Sequence, residues 1–256
     1  MSIIDTYDAE RVAIINPESV HERDERHLDA CIINFSYKIM DALLENGRLE
    51  LFDGEKISCV AERFPIYVFR GTNIGIVRSA VGAPMAAGLI EEIGYVFSCT
   101  RFILFGSGGG LDKSIPANSL IVPTHAYRDE GMSYHYAPPA DYIEIKNHST
   151  VSEILTSLGV DCVEGRTWTT DAFYRETRKN FEKRRSEGYI IVEMEVAACQ
   201  AVADFRGYEF YPFLYRADNL DTSSWDKGIL SSISTDKRLA HAYLALEIAR
   251  AISKKL

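Results

Sequence analysis

The sequence contains no Cys-x-x-Cys pair, no long apolar run and no excess of positive charge. Its five cysteines are scattered and odd in number: Cys31, Cys59, Cys99, Cys162 and Cys199. This spacing fits reduced thiols in a cytoplasmic protein better than a disulfide framework or a zinc site, so we expect no metal. Apolar runs fall short of the roughly 18 residues that a membrane-spanning helix needs, and the acidic first segment does not resemble a signal peptide.

The shortage of basic residues limits the partners that we expect. Lys and Arg number 28 against 37 Asp and Glu, which gives a formal net charge of −9. A surface this acidic argues against broad binding to nucleic acid or to anionic membranes. It does not forbid a small anion in a locally positive pocket. Because linkers, repeats and low-complexity segments are also missing, residues 1–256 are expected to form a single domain.

Short β-branched and aromatic runs alternate with helical patterns, which predicts an α/β fold with a central sheet between helices. The predicted strands are Val12–Ile15, Ile66–Phe69, Ile74–Ser79, Phe102–Phe105, Ser119–Val122, Ile190–Val192 and Phe210–Tyr215. The predicted helices are His27–Glu45, Pro84–Glu92, Thr150–Leu158, Glu193–Arg206 and Lys237–Lys254. Ligands of such sheets collect beyond the carboxyl ends of strands, which directs attention to three segments.

Three local signals fix ends of these helices. Pro84 suits a first helical turn, where its missing N–H costs nothing. Thr150 and Glu153 have the spacing of a capping box. Gly207 follows a predicted helix as a candidate C-cap.

A glycine run follows the apolar strand Phe102–Phe105. Gly106, Ser107 and Gly108 lead into two further glycines. Glycine permits positive φ and close approach of the backbone, so successive N–H groups of a loop can converge on an anion or a sugar oxygen. The spacing is neither a dinucleotide fingerprint nor a P-loop. A tight bend without a ligand explains the same residues.

Two carboxylates stand at a predicted strand-to-helix junction, as Glu193, Met194 and Glu195. A carboxylate here can accept hydrogen bonds from two neighbouring sugar hydroxyls, and a methionine can pack on the apolar face of ribose. Negative charge also stabilises a helix N-terminus without any ligand. Both interpretations stay open on these residues alone.

An aspartate follows the last predicted strand. Asp218 comes shortly after Phe210–Tyr215, at a position where strand ends present functional side chains. Partial burial there raises the pKa of a carboxyl and suits it to act as a general acid. The alternative is a turn in which Asp218 or Asn219 bonds its own backbone.

The glycine run, the two carboxylates and Asp218 occur in one order together with a fourth segment, residues 169–174. In combination these segments resemble the nucleoside phosphorylase superfamily over about residues 71–220. The strongest pieces of the resemblance are Val122-Pro123-Thr124, the run from Arg128 to Tyr136, Thr170-Asp171-Ala172-Phe173-Tyr174, and Val192-Glu193-Met194-Glu195. The superfamily includes purine nucleoside phosphorylases, uridine phosphorylases and related nucleosidases.

The resemblance implies a three-layer α/β/α sandwich with a distorted mixed central sheet, no metal or organic cofactor, and a homo-oligomer. It assigns ribose contacts to Glu193, Met194 and Glu195, and base stacking to Phe173. Asp218 takes the role of protonating the departing base. Gly106, Ser107 and Gly108 border the pocket for phosphate or another nucleophile. This set serves glycosidic cleavage, in which positive charge develops on the sugar and negative charge on the base.

The sequence departs from the superfamily at its phosphate-binding arginines. Their matching positions are Ser19, Val60 and Leu104. A phosphate dianion buried without paired charge is costly, so another cation has to replace them. Arg63, Arg78 and Arg101 are candidates, and Arg78 is the best placed because it lies on a predicted strand next to the Ala80-Val81-Gly82 turn. The alternative for each is a solvent-exposed arginine with no ligand.

Three functions therefore remain. The first is phosphorolysis to free base and ribose 1-phosphate. The second is hydrolysis, for which Glu18 or Glu22 would activate water. The third is nucleoside binding without catalysis.

The base and the sugar 5′ contact also stay open. Asp218 favours purines, but only Lys227 stands where purine-acting relatives carry a downstream arginine. The glutamine and arginine with which uridine-type members read the base correspond to Thr177 and Lys179, beside Arg178. Relatives often use a histidine near their N-terminus for the sugar 5′ end, and the earliest here is His21.

Overall fold

A mixed sheet of ten strands forms the centre of the part of the chain that the structure describes. This structure is a computed structural model that describes residues 2–58, 62–230 and 232–254, so Cys59 and Val60 lie outside it. The strands are β1 (Ala30–Asn34), β2 (Leu49–Asp53), β3 (Ile66–Phe69), β4 (Ile74–Arg78), β5 (Arg101–Gly110), β6 (Leu120–Asp129), β7 (Tyr142–Glu144), β8 (Cys162–Thr170), β9 (Tyr189–Glu193) and β10 (Glu209–Asn219).

Strand β5 is the branch point of the sheet. It pairs in parallel with β1, which continues through β4 and β3 to β2 at one edge. It also pairs in parallel with β10 along its length, while Gly109 and Gly110 pair with Val192 and Ile191 of β9. Because β10, β6, β8 and β9 are joined in that order, these strands and β5 close into a ring. The distorted sheet that the resemblance implies takes the form of this ring of strands.

Helices cover both faces of the sheet, which confirms the predicted three-layer α/β/α arrangement. They are α1 (Pro17–Val20), α2 (Tyr37–Glu45), α3 (Ala83–Val96), α4 (His148–Ser157), α5 (Arg178–Ser186), α6 (Val196–Arg206) and α7 (Thr235–Ser253). The apolar sides of α3 and α6 share one buried cluster with the sheet, and those of α2, α4 and α7 share the other. None of the helices in the described ranges is both long and apolar enough to cross a membrane.

Two predictions near the N-terminus are wrong. Val12–Ile15 is not a strand but an exposed irregular segment, since nothing packs on its apolar side chains. The predicted helix His27–Glu45 is a helix only in its second half. Its first half contains β1, which is wholly buried between β4 and β5. A short apolar run fits a buried strand as well as a helix, and only the neighbouring strands decide between them.

Two of the three predicted helix ends agree with the structure. Pro84 lies in the first turn of α3 as predicted, and Gly207 ends α6 with a left-handed φ of 76°, which confirms the predicted C-cap. The capping box at Thr150 and Glu153 is wrong, because α4 begins two residues earlier, at His148.

Candidate active site

One cavity of about 850 Å³ brings together segments that lie far apart in the sequence. The middle of β5 borders it with Ser107 and Gly108, and the junction between β9 and α6 borders it with Glu193, Met194 and Glu195. Phe173 follows β8, and Asp218 stands near the end of β10. The structure thus places the predicted sugar, base and acid residues around a common space. Closing the strands into a ring brings their ends together.

Glu195 is the carboxylate that is available to a ligand. It is the N-cap residue of α6 and is buried. The backbone N–H of Gly82 donates to its Oε1 at 2.7 Å, and that of Met194 donates to Oε2 at 3.3 Å. Burial and, less strongly, the charge of the neighbouring Glu193 raise the pKa of Glu195 to about 8. Each carboxylate oxygen keeps acceptor capacity for a sugar hydroxyl.

Glu193 holds the junction together. Its Oε1 accepts from the hydroxyls of Thr169 and Thr167 at 2.5 and 3.2 Å. Its Oε2 accepts from the backbone N–H groups of Glu195 and Val196, both at 2.7 Å. Burial raises its pKa, and these four donors oppose that shift. Although Glu193 borders the cavity, four protein donors already occupy its oxygens, so it positions Glu195 rather than offering a free acceptor.

Asp218 lies within β10, not in a turn after it. The strand runs on to Asn219, because residues 218 and 219 pair with Gly109 and Gly110 beyond a bulge. The indole N–H of Trp225 donates to Oδ2 of Asp218 at 2.7 Å. Burial raises the pKa of Asp218, and the Trp225 hydrogen bond partly offsets the rise. A carboxyl with a raised pKa beside a cavity has the property that a general acid needs.

Aromatic and apolar side chains line the rest of the large cavity. Phe173 is about half exposed, and its ring lies 4.0 Å from that of Tyr174 between centroids. Met194 is half-buried in the cavity wall, facing the same space. Such surfaces can hold a flat base and the apolar face of a sugar by contact area.

The glycine run is strand rather than the predicted loop. Gly106–Gly110 lie inside β5, and positive φ, which the loop interpretation required, does not occur at any of them. Close packing explains three of the glycines. A Cβ on Gly108 would lie 2.6 Å from Ile191, one on Gly109 would lie 2.6 Å from Leu220, and one on Gly110 would overlap Arg216. The run brings strands together tightly and leaves Ser107 at the cavity.

A smaller cavity of about 300 Å³ adjoins the large one, since both are lined by Phe35, Ser107 and Leu230. It lies at the carboxyl end of β1 and the start of α2. Lys38 and Arg238 supply two cationic side chains there, and none of the described residues in its lining is acidic. Gly106 lines this cavity and not the large one.

The arginines proposed to replace the missing phosphate ligands lie elsewhere. Arg78 ends β4 with an exposed side chain and lines neither cavity. Arg63 lies near Glu55, and Arg101 bonds Glu209 at 3.1 Å. The prediction that Arg78 lines the pocket is therefore wrong, because its side chain is exposed outside both cavities. The smaller cavity forms around β1 and α2, a segment predicted as one unbroken helix, so Lys38 was not identified from the sequence.

The other described residues that were considered for phosphate binding or water activation also lie away from both cavities. Ser19 is exposed on α1, Leu104 is buried in the core, and Val60 lies outside the described residues. The candidate water-activating residues Glu18 and Glu22 are exposed and line neither cavity.

Several lining residues escaped the sequence reasoning: Phe35, Val81, Tyr174, Glu176 and Trp225. Arg178 lines the cavity at the start of α5, whereas Thr177 caps that helix and Lys179 is exposed. Tyr174, Glu176 and Trp225 lie close in sequence to Phe173 or Asp218, whereas Phe35 and Val81 had no such signal. Among the described residues, no cluster of His, Cys, Asp and Glu is arranged to hold a metal ion.

Comparison with known proteins gives a consistent family. The sequence profile of the phosphorylase superfamily matches residues 30–242. The chain is 27% identical over 138 residues to a DeoD-type purine nucleoside phosphorylase of Aliivibrio fischeri, covering 53% of this chain and 58% of that protein. It is 26% identical over 142 residues to a guanosine phosphorylase of Halorubrum lacusprofundi, covering 54% and 58%. The matches thus span less than two thirds of these relatives.

Solved structures share the fold. An AMP nucleosidase of Bacteroides thetaiotaomicron superposes with a TM-score of 0.69 at 16% identity, covering 88% of this chain and 89% of that one. A futalosine hydrolase of Helicobacter pylori superposes with a TM-score of 0.69 at 17% identity, covering 87% and 98%.

Proposed function

Since this chain belongs to the phosphorylase superfamily, we propose that it is an enzyme that cleaves the N-glycosidic bond of a purine nucleoside by phosphorolysis. The products are the free base and ribose 1-phosphate. The observation that carries the proposal is the adjacency of two cavities. The larger holds Glu195, Phe173 and Asp218, and the smaller holds Lys38 and Arg238, with Ser107 shared between them.

The sugar occupies the large cavity at the β9–α6 junction. Glu195 accepts hydrogen bonds from ribose hydroxyls, and Met194 packs on the ring. The backbone N–H of Gly82 holds the Glu195 carboxylate, and the Glu193 carboxylate holds the backbone N–H of Glu195, before substrate arrives. A fixed carboxylate near a sugar that gains positive charge stabilises the transition state more than the ground state.

The base leaves towards Asp218. As the bond from the anomeric carbon to the base nitrogen breaks, its electron pair passes to the base, and the Asp218 carboxyl donates its proton to a ring nitrogen. The raised pKa of Asp218 supports the protonated form that this step requires. Phe173 holds the base by stacking, which contributes affinity with little dependence on the substituents of the base.

Phosphate occupies the smaller cavity and attacks the anomeric carbon past Ser107. A dianion needs charge nearby, and Lys38 and Arg238 are the cations that line this space. Hydrolysis by this superfamily would instead call for a water-activating carboxylate. The acid-free lining of the small cavity, with Glu18 and Glu22 outside it, favours phosphate over water.

The names of the sequence relatives support a purine. Both the Aliivibrio and the Halorubrum proteins are named as phosphorylases of purine nucleosides, guanosine in the second case. Asp218 in the large cavity fits a base that accepts a proton on a ring nitrogen as it leaves.

The test is an assay of purine and pyrimidine nucleosides with and without phosphate, in which the sugar product is identified. We expect ribose 1-phosphate from purine nucleosides, formed only when phosphate is present. Free ribose formed without phosphate would contradict phosphorolysis and establish hydrolysis. Saturable nucleoside binding with no product in either buffer would establish a binding protein.

A further inference from the structure

The large cavity contains a carboxylate that the proposed reaction does not use. Glu176 follows Phe173 and Tyr174 in a short helical turn and precedes the N-cap of α5. Its side chain is half-buried and lines the cavity. Among the described residues, none donates a hydrogen bond to its carboxylate or forms an ion pair with it. A half-buried carboxylate without a protein donor faces a space where a ligand can supply one.

Glu176 lies at the Asp218 end of the cavity, because Arg178, two residues further along the chain, donates to the backbone carbonyls of Leu220 and Thr222, which follow Asp218 closely. Burial and, less strongly, the charge of Asp218 raise the pKa of Glu176 to about 7. The pKa of Glu195 responds instead to Glu193 and Asp171. The cavity therefore has two carboxylate sites, one at the sugar and one at the base, and Glu176 stands with Asp218 at the base.

The arginine in the lining of the large cavity is engaged elsewhere. The guanidinium of Arg178 donates to the backbone carbonyls of Thr222 and Leu220, at 2.6 and 3.4 Å. This binding fixes the loop after β10 against the start of α5. Because Arg178 is committed to these carbonyls, the base end of the cavity carries two carboxyl groups.

Two neighbouring half-buried carboxyls resist ionising together, so they tend to share one proton. A bound base decides which of them holds it: the carboxyl that faces an acceptor on the base keeps the proton and donates, and the carboxyl that faces a donor is ionised and accepts. Adenine presents the matching pattern, since its N7 accepts and its neighbouring 6-amino group donates. Guanine and hypoxanthine present acceptors at both places, N7 and O6. The pair of carboxyls is thus complementary to a 6-aminopurine and mismatched to a 6-oxopurine.

We propose that Glu176 determines base specificity, accepting a hydrogen bond from the 6-amino group while Asp218 donates its proton to N7, so that the substrates are 6-aminopurine nucleosides. This inference rests on the proposed function. It assigns base recognition to Glu176, in addition to the protonation of the base by Asp218.

The experiment compares three nucleosides that share ribose and differ at position 6: adenosine with an amino group, purine riboside with hydrogen, and inosine with a carbonyl. The measured quantity is kcat/KM in phosphate for the parent, Glu176→Gln and Glu176→Met. Glu182→Gln, an exposed carboxylate on α5, is the matched control. Circular dichroism checks that each variant folds, and the isosteric Gln variant provides the test if the Met variant does not.

For the parent we expect adenosine to exceed both other nucleosides by roughly tenfold or more, the size of a hydrogen bond to a charged group. Glu176→Met should bring adenosine down to the level of purine riboside. Glu176→Gln should shift the preference towards inosine, because its amide can donate to O6. Glu182→Gln should keep the parent ratios. Equal ratios in the parent and both Glu176 variants would overturn the assignment, even if phosphorolysis itself is observed.

Equilibrium binding separates this inference from the reaction. If no nucleoside is cleaved, titration calorimetry with adenine and hypoxanthine measures base recognition directly. Tighter binding of adenine by the parent, lost in Glu176→Met, would support the role of Glu176 while the proposed reaction fails. Equal affinity for the two bases in the parent would overturn the role of Glu176.

Discussion

The backbone N–H of Gly82 donates a 2.7 Å hydrogen bond to Oε1 of Glu195. It connects the turn after β4 to the N-cap residue of α6, across 113 positions of the sequence. Gly82 has a φ of 116°, a backbone conformation that residues other than glycine rarely adopt. The turn thus aims a backbone donor at the carboxylate proposed to bind the sugar.

Replacing Glu195 with Gln should impair ribonucleoside cleavage. At pH 9, above the raised pKa of about 8, the amide can still accept from Gly82 but lacks the charge that favours the sugar cation. We therefore expect kcat/KM at that pH to fall by roughly 100-fold, as for loss of a preorganised electrostatic contact. Steady-state kinetics with adenosine measures the effect. Glu182→Gln is the control. Unchanged KM and kcat would remove Glu195 from the sugar site.

The same substitution should alter the dependence of stability on pH. The pKa of Glu195 is raised from 4.5 to about 8. The folded chain therefore retains a proton that the unfolded chain releases between these values, and the free energy of unfolding falls as pH rises through this window. This loss amounts to at most about 4 kcal/mol. Urea unfolding of parent and Glu195→Gln at pH 5 and pH 8 should show the variant gaining relative stability at pH 8. A difference that is constant with pH would contradict the raised pKa.

Asp218→Asn should lower kcat more than it raises KM. The amide retains an oxygen for the Trp225 indole but cannot donate an acidic proton, and a general acid contributes roughly 100- to 10,000-fold. A 6-aminopurine nucleoside whose base is already cationic, such as 7-methyladenosine, needs no protonation to leave. The variant should therefore retain most of the parent's activity on that substrate. An equal loss on adenosine and 7-methyladenosine would argue that Asp218 acts through binding alone.

Lys38→Met and Arg238→Met should each raise the KM for phosphate by about tenfold or more, with little change in nucleoside binding, because each removes one positive charge from the smaller cavity. Kinetics at varied phosphate measures this. Lys183→Met removes an exposed charge from α5 and serves as the control. If all three variants show the parent's dependence on phosphate, the smaller cavity is not the phosphate site.

Gly108→Ala should destabilise the fold far more than Gly106→Ala. A Cβ at Gly108 would lie 2.6 Å from Ile191 and 2.7 Å from the carbonyl oxygen of Val192, whereas one at Gly106 would lie 3.1 Å from the ring of Phe35. Overpacking against a backbone atom costs about 1–3 kcal/mol. Urea unfolding of both variants tests the difference. Equal stabilities would show that the glycines are not required for strand packing.

Much of the fold followed from local pattern. Strands β3, β4 and β9 and helices α3, α6 and α7 were predicted within a few residues of their observed bounds. These strands are short apolar runs, and these helices have apolar residues at helical spacing or a residue that favours a helix end. Strand β1 was predicted as helix, because five consecutive buried residues have no periodicity that separates the two structures.

The site was predicted in parts. Glu195, Phe173 and Asp218 were named from motifs, and the structure places all three around one cavity. Lys38, Arg238 and Glu176 were not named as site residues, because each is an ordinary charged residue in its local sequence. Their significance arises from the cavities that they line.

The sequence by itself determined the chemical groups, the α/β class and the family, since composition, motifs and short-range periodicity are properties of neighbouring residues. Only the tertiary structure decided that the glycine run is a packed strand, that Glu193 is held by four donors, and that two carboxyls meet at the base end. These relationships depend on strands β5, β9 and β10 closing into a ring. The contacts that close the ring join residues about 80 to 110 positions apart, beyond the reach of any local pattern.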